Sequence, residues 1–522
     1  MKRMFLTGLA ALGAGCTVGP DYQPPVMQTS AQFAATTRPV ATRPSATQPA
    51  ATQPVTDIDL RLWWYAFNDE TLNHLIDRAT KSNLDVALAE ARVREARATY
   101  EFNRGALFPT LSGTGAYTRS RTSKNVFGST AGGGTSGTSG GTTGTGTGSG
   151  TGTGTTVSPL AFSTGTSNFY QVGFDAGWEI DVFGGTRRAI EAAEYTVEAQ
   201  VEARRSAMVT LLAEVARNYV TLRGLQHELS IVQGNIATQQ DTASLTRAKF
   251  QAGIATDLEV AQSEALLAST ESTIPTLQTQ IQQAIHRLSV LVNQSPDALE
   301  SELSTATPLP PTPAAVPAGL PSELIRRRPD VRQSERQLAA ATANIGVAVS
   351  DLFPKFNLTG SLGLESLSLK KLANASSEFW SFGPSVSWKI FSAGQVQANI
   401  RVQTARQEEA FIQYRQSVLN SLADVEDALV AYNQEQARQK SLQRAVDANR
   451  RALDLAKQLN TAGVVDFLNV LTAQQSLFQS EDQLAQSDQT VTTNLIALYK
   501  ALGGGWELTD QQVQDRDAKI RQ

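Results

Sequence analysis

The sequence predicts a mainly α chain that carries part of a membrane β-barrel. It reads as an internally duplicated molecule of very long coiled-coil helices with four β-strands, too few to close a barrel alone. Three observations predict this. The stretch FYQVGFDAGWEIDVF, residues 169–183, alternates apolar with polar or small residues almost without error. Motifs recur in the same order at a separation of more than 200 residues. Two runs of about 65 residues contain helix formers with only isolated glycines, and their apolar positions advance at the 3.5-residue period of supercoiled helices.

The chain opens with MKRMFLTGLAALGAGC, in which Lys2 and Arg3 precede a short apolar stretch and small residues, the layout of an export signal over 1–15. Cys16 is the only cysteine, so no internal disulfide forms, and its place at the end of the signal predicts lipid attachment. Gly13 stands three residues before it, where lipoprotein signals usually carry leucine; Leu12 is one position further back. Residues 20–56 are rich in Pro, Ala and Thr and cannot bury enough surface for a core. The segment 16–56 is therefore expected to be a lipidated, extended tether.

Bulk properties remove some classes. With 18% charged residues and a net charge of −4 there is no basic footprint for nucleic acid. Beyond the N-terminus no apolar run approaches the roughly 20 residues of a spanning helix, so any spanning falls to strands.

The duplication organises the rest. LFPTLSGTG at 107 recurs as LFPKFNLTG at 352, AEVA at 213 as ADVE at 423, and QAGIATDL at 251 as TAGVVDFL at 461. The copies are offset by 245 residues before the hairpin (107 to 352) and by 210 after it (213 to 423). The first copy thus carries about 35 extra residues, which the Gly/Thr/Ser tract 128–167 accounts for as an enlarged hairpin loop. The copies span 57–300 and 322–505, joined by a Pro-rich linker, 301–321, with a tail at 506–522.

Each copy reads helix, strand, hairpin, strand, very long helix, tight turn, returning helix. The strands are expected near 109–120, 168–183, 354–366 and 380–391. The long helices are expected from about Arg187 to Gln251 and from about Gln395 to Asn460. Met208, Leu212, Val215, Tyr219, Leu222, Leu225, Leu229, Val232 and Ile236 form the seam of the first; Val418, Leu422, Val425, Leu429 and Tyr432 repeat it in the second. Glycine can take the left-handed conformation that ends a helix, so tip turns are expected at 252–256 and 462–465. A four-stranded sheet leaves two open edges, and closure demands several copies. Phe174, Trp178 and Trp388 should then face lipid, and Asp175, Glu179 and Asp181 a shared aqueous lumen.

GCTVGPDYQPP, WWYAFNDETLNHLI, LPSELIRRRPDVRQSERQLAAATANIGVAVSDLFPKFNLTGSLG and AGVVDFLNVLTAQQSLF resemble the outer membrane factor (TolC-like) family, specifically the NodT-type lipoprotein branch of resistance-nodulation-division (RND) efflux systems. The resemblance runs from about residue 15 to 505. It implies a homotrimer with a 12-stranded β-barrel in the outer membrane and an α-helical barrel through the periplasm of a Gram-negative bacterium. It also implies outer membrane lipid around the barrel, a periplasmic adaptor (membrane fusion) protein and an inner-membrane RND pump, and no cofactor. By similarity Leu468, Thr472 and Gln475 occupy the periplasmic gate, where relatives often carry leucine, aspartate and arginine. An acidic ring with locking ion pairs is thus not expected, leaving Leu468 as a hydrophobic gate and Asp466 as the nearest carboxylate. The adaptor-docking tips implied are Gly253, Ile254, Ala255 and Thr256, with Gly463, Val464 and Val465.

His74, His227 and His286 lack paired metal spacing. Arg326, Arg327 and Arg328 precede Pro329 and Asp330, which suits a helix-start device or subunit contact. With no phosphate loop and no nucleophile paired with a base, no enzyme is expected. The reading is a passive exit duct for small toxic compounds. The alternatives are the same duct serving type I protein secretion and a non-transporting surface coiled coil, which would not need alternating strands.

Overall fold

Strands from both copies pair in one antiparallel sheet of order β1-β2-β3-β4: β1 (Thr110–Arg121), β2 (Thr166–Ile180), β3 (Lys355–Ser366) and β4 (Glu378–Ser387). The computed structural model describes residues 17–25, 27, 60–121, 166–312, 323 and 326–507. The export signal, Cys16, most of the tether, nearly all of the Gly/Thr/Ser tract and the tail beyond Glu507 lie outside the described residues.

The pairing register explains why the strand patterns look as they do. Phe174 stands opposite Gly113 on β1 and Leu362 on β3, and Leu362 stands opposite Trp380 on β4. One face of the sheet thus carries Leu111, Tyr117, Tyr170, Val172, Phe174, Trp178, Phe356, Leu358, Leu362, Leu364, Trp380, Phe382 and Val386. The other carries mostly hydroxyls with Asp175, Glu179 and Glu365. A slip of one residue at any pair would mix the faces. The edges β1 and β4 have no partner strand among the described residues.

Two expectations at the strand ends need correction. β2 ends at Ile180, so Asp181 is not a strand residue; its Oδ2 accepts from the Arg187 backbone N–H (2.9 Å) and side-chain Nε (3.3 Å) at the start of the following helix. A carboxylate there meets the positive end of that helix. β4 ends at Ser387, leaving Trp388 one residue beyond it and exposed, with its Nε1 donating to the Leu352 carbonyl at 3.0 Å.

The helices are α1 (Glu70–Ser82), α2 (Leu84–Gly105), α3 (Gly185–Gln251), α4 (Asp257–Glu271), α5 (Thr273–Leu291), α6 (Glu300–Leu303), α7 (Pro329–Ser350), α8 (Gln395–Thr461) and α9 (Phe467–Ala501). α3 and α8 have 67 residues each, on the order of 100 Å at ~1.5 Å per residue. The returning helix is unbroken in the second copy but divided at Ser272 in the first. Pro275 has no N–H for the carbonyl of Glu271, which marks the break.

The chain divides into two units, and neither is a sequence repeat. One holds Arg104–Arg187 and Ser350–Ala393, the strands of both copies; the other holds Val18–Asn103, Arg188–Val349 and Gly394–Gln522, the helices of both. In the helical unit the α3 seam is buried from Met208 through Leu222 and again at Val232 and Ile236, with Leu225 and Leu229 packed beside them. Trp63 stacks on Tyr499 with ring centroids 5.1 Å apart, and Trp64 and Phe67 complete that core.

The start of the segment expected to be a tether packs on the helical unit. The buried Arg188 guanidinium donates to the Val18 and Gly19 carbonyls and pairs with Asp21 at 2.6 Å. Tyr22 donates to Glu335 (3.1 Å) and meets the Tyr195 ring edge-on. Residues 18–25 are thus a strap on the helical unit, not free tether. Asp21 and Tyr22 anchor it by polar contacts, and Tyr22 and Met27 pack against the buried cluster of Val331, Leu338, Tyr414 and Val418.

Candidate gate and docking tips

Both tip turns are built alike. Gly253 (φ +74°) and Gly463 (φ +70°) hold the left-handed conformation that ends α3 and α8. Ile254 N–H donates to the Lys249 carbonyl and Gly253 N–H to Phe250; Val464 and Gly463 repeat this to Leu459 and Asn460. These are the paired bonds that satisfy the last carbonyls of a helix. The next helix then starts differently in the two copies. At α4 the Thr256 hydroxyl accepts from Glu259 N–H while the Glu259 carboxylate accepts from Thr256 N–H, a reciprocal cap. At α9 the cap residue is Asp466, whose side chain makes no capping bond and stands exposed. In these turns Ile254 (77% exposed) and Val464 (68% exposed) present bare aliphatic side chains, while the residues that follow them, Ala255 and Val465, are half-buried.

Leu468, Thr472 and Gln475 lie at i, i+4 and i+7 of α9 and are all exposed, Leu468 at 57%. That spacing puts them in one stripe. Thr472 Oγ1 donates back to the Leu468 carbonyl at 2.9 Å, so its hydroxyl proton is committed to its own helix. The opposite stripe, Val470, Leu471, Gln474 and Leu477, is buried.

Sequence reasoning missed what anchors α9 above that stripe. Glu481 accepts from Arg450 of α8 (2.9 Å) and Asn235 of α3 (3.3 Å), and Gln474 donates to Thr242 of α3 at 2.8 Å. A groove of about 520 Å³ with mixed lining runs between these three helices, with His227, Arg450, Glu481 and Asp488 beside Ile231 and Leu453. Glu228 of α3 is hydrogen-bonded to Asp482 of α9, and burial followed by this second carboxyl pushes its pKa up to about 7. No local pattern marks these residues, which sit on polar helix faces indistinguishable in sequence from solvated ones.

The Arg-Arg-Arg-Pro-Asp run is legible in outline. α7 starts at Pro329 as expected. Arg328 also bonds Asp330 (2.6 Å), Asp424 of α8 (2.9 Å) and the Ala501 carbonyl of α9 (3.1 Å), clamping three helices. Arg327 pairs with Glu507 at 2.9 Å.

A family model described as outer membrane efflux protein matches residues 75–294 and 320–504, most of both copies. The chain belongs to the outer membrane efflux protein family. At 30% identity it aligns over 512 residues with the solvent efflux pump outer membrane protein SrpC of Pseudomonas putida, covering 97% of this chain and 99% of that one. It is 29% identical to nodulation protein T of Rhizobium leguminosarum bv. viciae, over 97% of this chain and 94% of the relative. Among solved structures, the outer-membrane channel OprN superposes with a TM-score of 0.78 at 33% identity, covering 94% of this chain and all of that one. The open-state MtrE channel of Neisseria gonorrhoeae gives 0.75 at 28% identity, over 94% and 99%. As an outer membrane efflux protein, the chain is a mainly helical channel subunit of the Gram-negative outer membrane that extends into the periplasm, and not an enzyme.

Proposed function

We propose that three copies of this chain form the exit duct of a tripartite RND-type efflux system, conducting small toxic compounds passively from a pump and its periplasmic adaptor to the exterior. The observation that carries this reading is the sheet: one face with an apolar band across all four strands, one hydroxyl-rich, and two open edges, which three copies would close into 12 strands. Phe174 and Trp178, with Trp388 just past β4, then meet lipid, while Asp175 and Glu179 line water. The bare aliphatic tips at Gly253–Thr256 and Gly463–Val465 suit an adaptor that buries apolar surface. The stripe Leu468, Thr472, Gln475, with Asp466 below it, forms the periplasmic gate, closed by Leu468 side chains meeting near the axis. Cys16 carries the lipid.

The relatives named for solvent efflux favour efflux over protein secretion. The reading is tested at the gate: Leu468→Ser should raise single-channel conductance in a planar bilayer and admit large antibiotics to resting cells. Unchanged conductance, with gains from substitutions elsewhere in the tunnel, would move the constriction away from Leu468. Labelled fatty acid should enter the wild type and not Cys16→Ala; equal labelling would remove the lipid anchor from the reading.

A further inference from the structure

We propose that the loop end of the apolar sheet face binds the phosphorylated headgroup of an outer-leaflet lipid through Arg119, Arg121, Lys370 and Lys371. The proposal rests on that face being the lipid-facing one.

The register places the arginines. Arg119 stands opposite Asn168 and Arg121 opposite Thr166, on the same face as Tyr117 and Leu111. The apolar band on that face runs from Trp178 to the tilted ring pair Tyr117 and Tyr170, whose centroids are 4.8 Å apart. Eight residues of tilted strand separate Trp178 from Tyr170, about 20 Å of membrane depth, close to the ~25 Å apolar band of outer-membrane barrels. Tyr117 turns its hydroxyl to Asn168 at 3.0 Å, as an aromatic belt residue does where hydrocarbon gives way to water. Arg119 and Arg121 follow two and four residues beyond that belt, roughly 5–10 Å further out, the depth of the headgroups.

Charge supports the same partner. The chain as a whole is acidic, at −4, yet this end is basic. Lys370 and Lys371 occupy a single helical turn in the β3–β4 hairpin, both exposed, between the exposed Leu367 and Leu369 and the half-buried Leu372. Among the described residues none of the four cations has an acidic partner. Glu365 points to the opposite face, and Glu378, which shares the lipid-facing face on β4, stands level with Leu364, Val172 and Gly115, four residues short of Arg119 along the strands. Exposed arginines flanking a hydrocarbon band, with no carboxylate between them, suit a planar, polyanionic phosphate layer.

The test uses the full-length trimer purified in detergent. Native mass spectrometry should count bound lipid A, a diphosphorylated glycolipid, on the wild type, with much weaker retention of zwitterionic phosphatidylethanolamine. Arg119→Gln with Arg121→Gln should weaken lipid A binding about fivefold for each cation removed, and Lys370→Gln with Lys371→Gln by a similar factor. Inorganic phosphate should not displace the lipid. Unchanged affinity in both variants overturns the proposal, as does displacement by free phosphate. Dissociation of the arginine variant into monomers would make these residues a subunit contact and would overturn it too. Quenching of Trp380 by brominated acyl chains, read as the signal lost in Trp380→Phe, separates the two levels. Quenching with unaltered lipid A affinity leaves the lipid-facing assignment standing and the headgroup site refuted; absence of quenching refutes both.

Discussion

The Trp178 indole N–H donates to the Leu107 carbonyl at 2.9 Å, tying the end of β2 to the residues that lead into β1. The second copy repeats the bond between Trp388 and Leu352 at 3.0 Å. Leu107 and Leu352 open the repeated LFP motif, so the duplication carries a tertiary contact as well as a sequence. It closes the base of each hairpin where tryptophan suits a membrane interface.

Replacing Trp178 separates the ring from the bond. Trp178→Phe keeps most of the apolar area but orphans the carbonyl, at a cost of about 1 kcal/mol, and Trp178→Ala adds the loss of the ring, for about 3 kcal/mol or more. The temperature at which the trimer band dissociates on a gel should fall in that order. Equal effects of the two substitutions would assign the whole contribution to the hydrogen bond.

At the tips, a Cβ added to Gly253 or Gly463 meets no atom within 4 Å, so substitution strains the backbone without a clash. Gly463→Val should cost roughly 1–2 kcal/mol locally, whereas asparagine, which tolerates the left-handed region, should cost less. Export measured as antibiotic resistance should fail with Gly463→Glu, which adds charge to an apolar contact, while trimers still reach the outer membrane. Full resistance in the glutamate variant would place docking elsewhere.

Arg328 is 11% exposed and shares its guanidinium among Asp330, Asp424 and the carbonyls of Ser421 and Ala501. Arg328→Ala removes hydrogen bonds to two carboxylates that are 39% and 54% exposed and to two carbonyls, and should destabilise by about 1–3 kcal/mol. Lysine cannot span the fork of acceptors, so Arg328→Lys should recover little of it. Chemical denaturation of the detergent-solubilised channel measures both.

The Glu228–Asp482 pair predicts a pH dependence. The folded pKa of Glu228 is raised to about 7, so the native state holds a proton that the unfolded chain, titrating near 4.5, releases. Its contribution to stability is full below about pH 4.5 and is lost as pH rises through 7. Wild-type channel should therefore melt at a lower temperature at pH 8 than at pH 5, and Glu228→Gln should flatten that slope. An identical slope in the variant would assign the dependence to other groups.

Periodicity was enough for the elements themselves. The 3.5-residue seam from Met208 to Ile236, the glycines at 253 and 463 and the period-two runs around Phe174 and Leu362 each reflect a local rule: which side chains share a face, and which residue tolerates a positive φ. The strand alternation also carried the division into an apolar and a polar face, and the offsets of 245 and 210 residues carried the duplication. Those signals act between neighbours along the chain, so a sequence holds them whole. The pairing of β2 with β3 across the two copies, the strap that Asp21 and Tyr22 lay on Arg188 and Glu335, and the diversion of Asp181 from strand to helix cap were decided only in three dimensions. So was the Glu481 junction with Arg450 and Asn235. In each case a polar group takes a partner far away in sequence, and hydrogen-bond partners follow from distance in the folded chain, for which a polar residue on a helix face leaves no periodic mark.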